Sequence, residues 1–191
     1  MTTQISGTSG IVTSTLDLTT PLPESEGGTG STSAYKMGYA TPKSATGTSV
    51  DFTGIPSWAK RITILFDGVS LSGSSPPIVQ LGDAGGIEDS GYLGAASFIS
   101  SAVGTANYTT GLALISGAGG ANILHGGVII SNLNSNTWVS QAVFGRSESS
   151  ATHLGASSKT LSATLDRLRI TAVNGTDTFD AGTINVMWEG F

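Results

Sequence analysis

The chain contains no cysteine and few charged residues. Its 191 residues include only eight Lys or Arg and thirteen Asp or Glu, so charged residues make up 11% of the total, where an average soluble chain has about 25%. The absence of cysteine excludes disulfides, thiolate metal ligands and cysteine nucleophiles. The few basic residues form no cluster that would neutralise phosphates, so the sequence predicts no nucleic-acid partner.

The sequence also lacks long apolar runs and a recognisable targeting signal. Residues 1–5, MTTQI, carry neither the basic stretch nor the apolar stretch of a signal peptide. No apolar run approaches the ~18 residues that a membrane-spanning helix needs. We therefore expect a soluble protein that is made in the cytoplasm and does not insert into a membrane.

Glycine, serine and threonine are abundant instead. There are 27 Gly, and Ser and Thr occur throughout the chain, so solubility depends on hydroxyl and amide groups more than on ions. Such a surface suits close packing of many protein copies, because few ions must lose their water at each contact. It also suits hydroxyl-rich ligands such as glycans.

Residues 1–47 differ in composition from the rest of the chain. They contain no Phe or Trp and are rich in Gly, Ser, Thr and Pro, as in residues 21–31, PLPESEGGTGS. This composition is typical of an extended arm, and a disordered tail is the alternative. Short apolar islands are predicted to attach the arm to neighbouring subunits; they are Ile11, Val12, Leu16, Leu18 and Leu22.

Residues 48–191 show the two-residue period of β-strands. Ile62, Ile64 and Phe66 recur at every second position, which places them on one face of a half-buried strand that Asp67-Gly68 is predicted to end. The same alternation marks residues 168–172 and 184–188. Asn174-Gly175 lies between these two runs and predicts a hairpin turn.

Further candidate strands are separated by short stretches of turn residues. They lie at residues 78–81, 92–99, 108–116, 127–133 and 138–144. Nowhere do apolar residues recur at helical spacing. We therefore predict one all-β domain of about eight to ten strands, folded as an antiparallel β-sandwich of jelly-roll-like type.

The sequence contains no recognisable catalytic motif. Ser147 lies in GRSES, which lacks the second glycine of a nucleophile elbow. His125 and His153 are far apart and have no carboxylate beside them, and the Ser- and Ala-rich stretch around His153 is interpreted as a loop. We predict no catalytic residue, no cofactor and no enzymatic activity.

Acidic residues occur close together at two places. Glu88-Asp89 and the pair Asp177 and Asp180 lie in Gly- or Thr-rich stretches. Paired carboxylates serve glycan-cleaving enzymes, and Asp83, Glu88 and Asp89 together are candidates for a calcium site. Their spacing matches no known calcium loop, and acidic side chains in turns commonly cap backbone amides. The sequence favours turn capping, and we predict no metal site.

Three aromatic residues flank predicted loops. Tyr92, Tyr108 and Trp138 are the candidate ligand-binding residues, because aromatic rings at loop edges stack on sugar rings. Packing in the core or at a subunit interface is the alternative for each of them.

Several segments resemble tail-fibre and related virion surface proteins of tailed bacteriophages. Residues 52–63, FTGIPSWAKRIT, resemble a segment that recurs in this family, and FDGVS at residues 66–70 is similar to the strand end that follows it. Residues 165–185 resemble the family's closing hairpin. GGTG at residues 27–30 resembles a segment that often precedes fibre head domains. The resemblance covers most of the chain, and its motifs are structural, not catalytic.

The resemblance implies a non-enzymatic structural protein of the virion. In this family a trimeric fibre head recognises host surface glycans, and here the arm would attach it to other virion proteins. Trimerisation would bury apolar residues on the outer sheet face, such as Leu65, Val139 and Val143. Fibre proteins usually carry a long shaft before this module, whereas only residues 1–47 precede it here. A trimeric capsid decoration protein is therefore the alternative, and a depolymerase acting on host polysaccharide is a third.

Overall fold

The structure is a computed structural model that describes residues 35–117 and 122–191. These residues form fourteen β-strands and no helix, so the described ranges hold no helix that could cross a membrane. The strands are β1 (Lys36–Tyr39), β2 (Lys43–Ser44), β3 (Ser49–Thr53), β4 (Ala59–Leu71), β5 (Pro77–Asp83), β6 (Gly86–Ile87), β7 (Tyr92–Ile99), β8 (Val103–Tyr108), β9 (Leu112–Ala113), β10 (Leu124–Asn134), β11 (Thr137–Arg146), β12 (Ala151–Thr160), β13 (Arg167–Ala172) and β14 (Phe179–Gly190).

The strands form two antiparallel sheets. The nine-stranded sheet has the order β1-β14-β4-β10-β11-β12-β7-β8, and β2 also pairs with β14. The five-stranded sheet has the order β3-β13-β5-β6, and β9 also pairs with β5. Buried residues of both sheets belong to one hydrophobic cluster. The prediction of an all-β antiparallel sandwich is confirmed.

Alternation along the long strands builds the core between the sheets. Ile62, Ile64 and Phe66 of β4 are all buried, and the Phe66 ring meets the Phe144 ring of β11 edge to face at 5.0 Å between centroids. Leu168 of β13 joins the same cluster from the five-stranded sheet. Burying an aliphatic or aromatic side chain stabilises the fold by about 1.5–3 kcal/mol. A one-residue slip would expose this whole set, so the alternation fixes the register.

The strand β4 does not end at Asp67-Gly68 as predicted but continues to Leu71 through a bulge. Gly68 has a φ of 65°, and the partner strand β14 has a second bulge at Gly182, where φ is 94°. A β-carbon on Gly182 would lie 2.5 Å from the carbonyl oxygen of Gly68. The two glycines therefore allow the backbones to approach where the strands bend.

The folded unit begins at Tyr35, before the predicted boundary at residue 48. β1 and β2 lie one after the other along the same edge of β14, with Tyr39 opposite Met187 and Ser44 opposite Thr183. Residues 36–44 therefore belong to the sheet and not to an arm. No residue of β1 or β2 is buried, so no alternation of buried apolar residues marks these strands in the sequence.

The turn at Asn174-Gly175 carries the chain from one sheet to the other. The amide of Gly175 donates to the carbonyl oxygen of Ala172 at 2.9 Å, as a turn requires. However, β13 belongs to the five-stranded sheet and β14 to the nine-stranded sheet. The prediction of a hairpin is wrong, because the strands on either side of the turn do not pair with each other.

The Ser- and Ala-rich stretch around His153 is the strand β12 and not a loop. β12 pairs with β11 over its whole length and with β7 from Thr152 to Lys159. Its inward positions are Ala151, His153, Gly155, Ser157 and Lys159, so no large apolar residue marks the buried face. Small residues are needed there because the segment around β9 crosses this face: a β-carbon on Gly155 would lie 2.2 Å from the Ala113 carbonyl oxygen.

Candidate functional site

Tyr92 and Tyr108 are structural residues, which corrects the prediction that they bind sugars. Their exposed fractions are 1% and 5%, so neither presents a ring face to a ligand. The Tyr92 hydroxyl accepts from the Leu81 amide at 2.7 Å and donates to the Glu88 carbonyl oxygen at 2.8 Å. The Tyr108 hydroxyl donates to the Ile115 carbonyl oxygen. Burial raises the pKa of Tyr92, and it raises that of Tyr108 to about 12.

Trp138, the third candidate, is also buried, with 4% of its surface exposed, so its ring faces are not open for stacking. It nevertheless lines a cavity of about 240 Å³. The cavity is formed by three separate segments of the chain. Its other lining residues are Pro56, Ser57, Ala59, Lys60, Asn132, Ser135, Asn136, Thr164 and Leu165. We refer to it below as the Trp138 cavity.

The β10–β11 turn forms one wall of this cavity in a fixed conformation. Ser135 has a φ of 39°, the single positive φ at a non-glycine position among the described residues. The side-chain amide of Asn132 holds the turn by donating to the carbonyl oxygens of Ser135 and Thr137, at 3.0 and 3.2 Å. A left-handed serine costs free energy and persists only where its surroundings impose it. The turn lies between the strands predicted at residues 127–133 and 138–144, whereas its contribution to a cavity was not predicted.

Polar and apolar residues both line the Trp138 cavity, and none of them is a carboxylate. The indole Nε1–H of Trp138 is buried and has no hydrogen-bond partner within the described part of the chain. Lys60 is the one formally charged residue of the lining, and none of the ion pairs among the described residues includes it. The lining of the cavity therefore includes a tryptophan whose Nε1–H has no partner and a lysine that forms no ion pair among the described residues.

The acidic residues considered for calcium are bonded to the protein itself. The Asp83 carboxylate accepts from the Ser162 hydroxyl at 2.7 Å and from the Gly85 amide at 2.8 Å, and these hydrogen bonds lower its pKa. Glu88 pairs with the Lys159 ammonium at 2.5 Å. Burial raises the pKa of Glu88, but the bonds from Lys159 and Ser162 outweigh it and lower the pKa. Within the described ranges no group of three potential ligands could hold a metal ion.

The second acidic pair also caps backbone and side-chain donors. Asp177 accepts from the Asn174 side-chain amide at 2.8 Å and from the Ser75 amide at 2.9 Å, and both bonds lower its pKa. Asp180 accepts from the Ser70 hydroxyl. The two carboxylates therefore stabilise the connection between the sheets and do not form an open pair for glycan cleavage.

A contact among Asp67, His125 and Ser147 was not predicted from the sequence. His125 Nδ1 lies 3.2 Å from Asp67 Oδ1, and His125 Nε2 lies 3.3 Å from Ser147 Oγ. These residues come from β4, β10 and the β11–β12 turn, so no local motif could reveal them. The connectivity is that of an acid–base–nucleophile triad.

Three features of this group oppose hydrolytic chemistry. The Gly68 amide points at His125 Nδ1 at 3.2 Å and competes with the Asp67 carboxylate for that nitrogen, whereas in a triad Nδ1–H donates to the acid. The Ser147 amide, a usual oxyanion donor, is already bonded to the Ile123 carbonyl oxygen at 3.1 Å. In addition, the Asp67 side chain is 89% exposed, so solvent screens its charge.

On four adjacent strands of the nine-stranded sheet the outer face carries no charge. On β7, β8, β11 and β12 no outward residue is Asp, Glu, Lys or Arg. We call this surface the uncharged face. Its outward residues are Leu93, Ala95, Ser97, Ile99, Val103, Thr105, Asn107, Thr137, Val139, Gln141, Val143, Gly145, Thr152, Leu154, Ala156, Ser158 and Thr160.

Exposed apolar residues form a row that begins on β4, beside the uncharged face, and continues across this face. Leu65 and Val143 both lie opposite Gly127, and Val143 lies opposite Leu154 on the next strand. Leu65 is 48% exposed, Val143 55% and Leu154 45%. Val139, four residues before Val143 on the same strand, is 36% exposed. The three residues predicted to lie outward, Leu65, Val139 and Val143, therefore share one face.

The predicted attachment residues of the arm lie outside the described residues. These are Ile11, Val12, Leu16, Leu18 and Leu22. No protein-family model, no curated protein and no solved structure matches this chain. The resemblance to phage tail-fibre proteins therefore stays a prediction, and the uncharged face and the Trp138 cavity are the features from which function can be argued.

Proposed function

We propose that this chain is a non-enzymatic structural protein of a bacteriophage virion. It acts as a trimeric tail-fibre head that recognises host surface glycans. The uncharged face carries the proposal. The β-sandwich supplies a rigid head, the uncharged face joins the copies, and the N-terminal arm attaches the trimer to other virion proteins.

The composition of the uncharged face favours a second copy of this chain as its occupant. A surface with no charge meets another copy of itself without like-charge repulsion and without burying unpaired ions. Leu65, Val143 and Leu154 supply apolar area, which is the main favourable term in association. The intervening Ala, Ser and Gly residues, such as Gly127 and Ala156, allow close approach of a partner. Closed symmetry is the usual outcome of such self-association.

A capsid decoration protein is the second candidate, and the edge strand β8 favours it. In the described part of the chain, β8 pairs only with β7 and ends the sheet. Its sequence, VGTANY, contains no charge and no proline, the usual devices that protect an edge. The head can therefore contact one neighbour through its face and another through its edge, as a subunit in a shell does.

The copy number per particle separates the two candidates. The chain is quantified by mass spectrometry in purified phage particles, with isotope-labelled peptides of the chain and of the major capsid protein as standards. A number between three and a few tens supports the fibre head. A number in the hundreds supports capsid decoration and contradicts the fibre head. Absence of the chain from particles contradicts both.

A further inference from the structure

We propose that the Trp138 cavity binds a single acidic sugar unit, a pyranose ring that carries a carboxylate. This inference rests on the proposed function, because it assigns the class of glycan that the head would recognise. It concerns a site at the base of the β10–β11 turn, at one end of the nine-stranded sheet. It does not involve the uncharged face.

The first observation is the unused donor at Trp138. Leaving a buried N–H without an acceptor is unfavourable, and nearly all such groups in folded proteins find one. The described residues around Trp138 Nε1 provide none. Trp138 itself lines the cavity, and its Nε1 is fully buried, so a ligand hydroxyl or ring oxygen would reach this donor after a small rotation of the indole towards the cavity. The bond then formed would supply the missing acceptor.

The second observation is the charge of the lining. Lys60 is its single ionised residue, and no Asp or Glu lines the cavity. An anionic ligand would therefore meet a cation and no repelling carboxylate. A hydrogen bond between an ammonium and a carboxylate is about twice as strong as one between neutral groups. This favours a sugar acid over a neutral sugar.

The third observation is the size and chemistry of the walls. The volume of about 240 Å³ is below the roughly 300–1,000 Å³ of sites for drug-sized ligands, so one sugar ring fits and an oligosaccharide does not. Pro56 and Leu165 offer apolar contact for the C–H groups of a ring. Ser57, Asn136 and Thr164 offer hydroxyl and amide groups for its hydroxyls.

The fourth observation is the rigidity of the turn. Asn132 clamps the carbonyl oxygens of Ser135 and Thr137, and Ser135 keeps its left-handed conformation. In addition, the Asn136 carbonyl oxygen accepts from the Leu161 amide at 3.0 Å. The wall that would contact the sugar is therefore held in place before binding, which lowers the entropic cost of association.

The test is ¹⁹F NMR on the full-length protein labelled with 5-fluorotryptophan. The chain has three tryptophans, and Trp138→Phe identifies the Trp138 signal. Sodium glucuronate and sodium galacturonate are titrated separately, with glucose as the neutral probe. We expect at least one of the two acids to shift the Trp138 signal, and the shift to saturate at millimolar concentrations of the acid. Glucose should bind at least tenfold more weakly.

The charge variant Lys60→Gln tests the role of the ammonium. We expect it to weaken binding of the sugar acid about tenfold or more. Lys43→Gln is the matched control, because it removes the same charge from a lysine that does not line the cavity; its affinity should equal that of the wild type. Circular dichroism melts check that both variants remain folded.

Two outcomes would overturn the inference. One is a Trp138 signal that neither sugar acid shifts, and the other is an affinity that Lys60→Gln leaves unchanged. Neither outcome bears on the copy number in particles or on self-association, which are measured without sugar. Failure of the cavity proposal is therefore distinguishable from failure of the proposed function.

Discussion

His153 is a buried histidine whose ring nitrogens both lack a hydrogen-bond partner among the described residues. Its ring packs against Phe98, with 5.9 Å between ring centroids. Burial lowers the pKa of His153, and the positive charge of Arg146 lowers it further, whereas Glu148 opposes the shift. The neutral imidazole is therefore the form that the core accepts.

We predict that His153 makes the fold less stable in mild acid. The unfolded chain binds a proton at about pH 6.5 and the folded chain only at lower pH, so the unfolded state holds more protons between these values. The free energy of unfolding is therefore greatest above pH 6.5 and falls as the pH drops, by at most about 1.4 kcal/mol per pH unit. Urea unfolding between about pH 7.5 and 5.5 measures this slope.

The variant His153→Leu removes the titrating group and keeps an apolar side chain of similar reach. We expect its stability to be nearly independent of pH over this interval. The pKa values of Asp83, Glu88 and Asp177 are lowered in the folded chain. These groups therefore change the free energy of unfolding only in the acidic range where carboxylates titrate, and they do not obscure the result. An equal slope in the variant would show that another group is responsible.

At the scale of single residues, the sequence predicted burial better than binding. Trp138 was selected because aromatic residues beside loops often contact ligands, and it does line a cavity. Its partners Lys60, Asn136 and Thr164 come from separate segments, and only the fold brings them together. Tyr92 and Tyr108 carried the same local signal, yet their hydroxyls reach core carbonyl oxygens. Sequence alone does not distinguish these cases.

At the scale of elements, the contact between β12 and the segment around β9 decides what β12 can contain. The Ala113 amide donates to the Ser157 hydroxyl at 2.8 Å, and the Ala113 carbonyl oxygen lies where a side chain at position 155 would be. This close crossing brings a backbone onto the inner face of the nine-stranded sheet. Larger residues on β12 would separate the two segments.

We predict that Gly155→Ala destabilises the fold by about 1–3 kcal/mol, the usual cost of overpacking. Its new β-carbon would lie 2.2 Å from the Ala113 carbonyl oxygen, and backbone cannot move aside as a side-chain end can. Gly145→Ala, on the outer face of the neighbouring strand, is the control. No atom lies within 4 Å of its β-carbon, so its stability should change by less than about 0.5 kcal/mol. Urea unfolding measures the free energy of unfolding of both variants. Equal values for Gly155→Ala and Gly145→Ala would contradict the close crossing.

The same contact explains why some elements were predictable and β12 was not. In β4 the buried positions hold Ile62, Ile64 and Phe66, so the alternation is visible in the sequence. In β12 the buried positions hold small and polar residues, because a neighbouring segment occupies the space. The Asn174-Gly175 turn is another case. The local signal gives a turn correctly, but which sheet the next strand joins depends on distant pairing.

At the scale of the whole molecule, the distribution of charge separates two surfaces. Formal charges occur on outward positions at the β14–β4 side of the nine-stranded sheet, where Arg61 and Glu189 form an ion pair at 3.3 Å. They are absent from the outward positions of β11, β12, β7 and β8. The composition predicted a surface of low charge, but only the strand register reveals that one contiguous face has none.

We predict that Val143→Lys prevents self-association without unfolding the head. The wild-type chain should be a trimer in solution by size-exclusion chromatography with multi-angle light scattering. In the variant, an ammonium lies in the middle of the row formed by Leu65, Gly127 and Leu154. Burying this charge without a partner costs several kcal/mol per copy, so the variant should elute as a monomer. The Val143 side chain is 55% exposed, so the stability of the isolated head should change by less than about 0.5 kcal/mol.

Ser149→Lys is the matched control for this variant. It adds the same charge in the exposed turn between β11 and β12, away from the uncharged face, and it should remain a trimer. Both variants carry the same net charge. A difference in their oligomeric state would therefore result from the position of the added charge and not from general repulsion between the copies. If Val143→Lys stayed trimeric, the copies would meet through another surface. If the wild type were a monomer at tens of micromolar, the uncharged face would have to bind a different virion protein, and the copy number in particles would then distinguish a shell from a fibre.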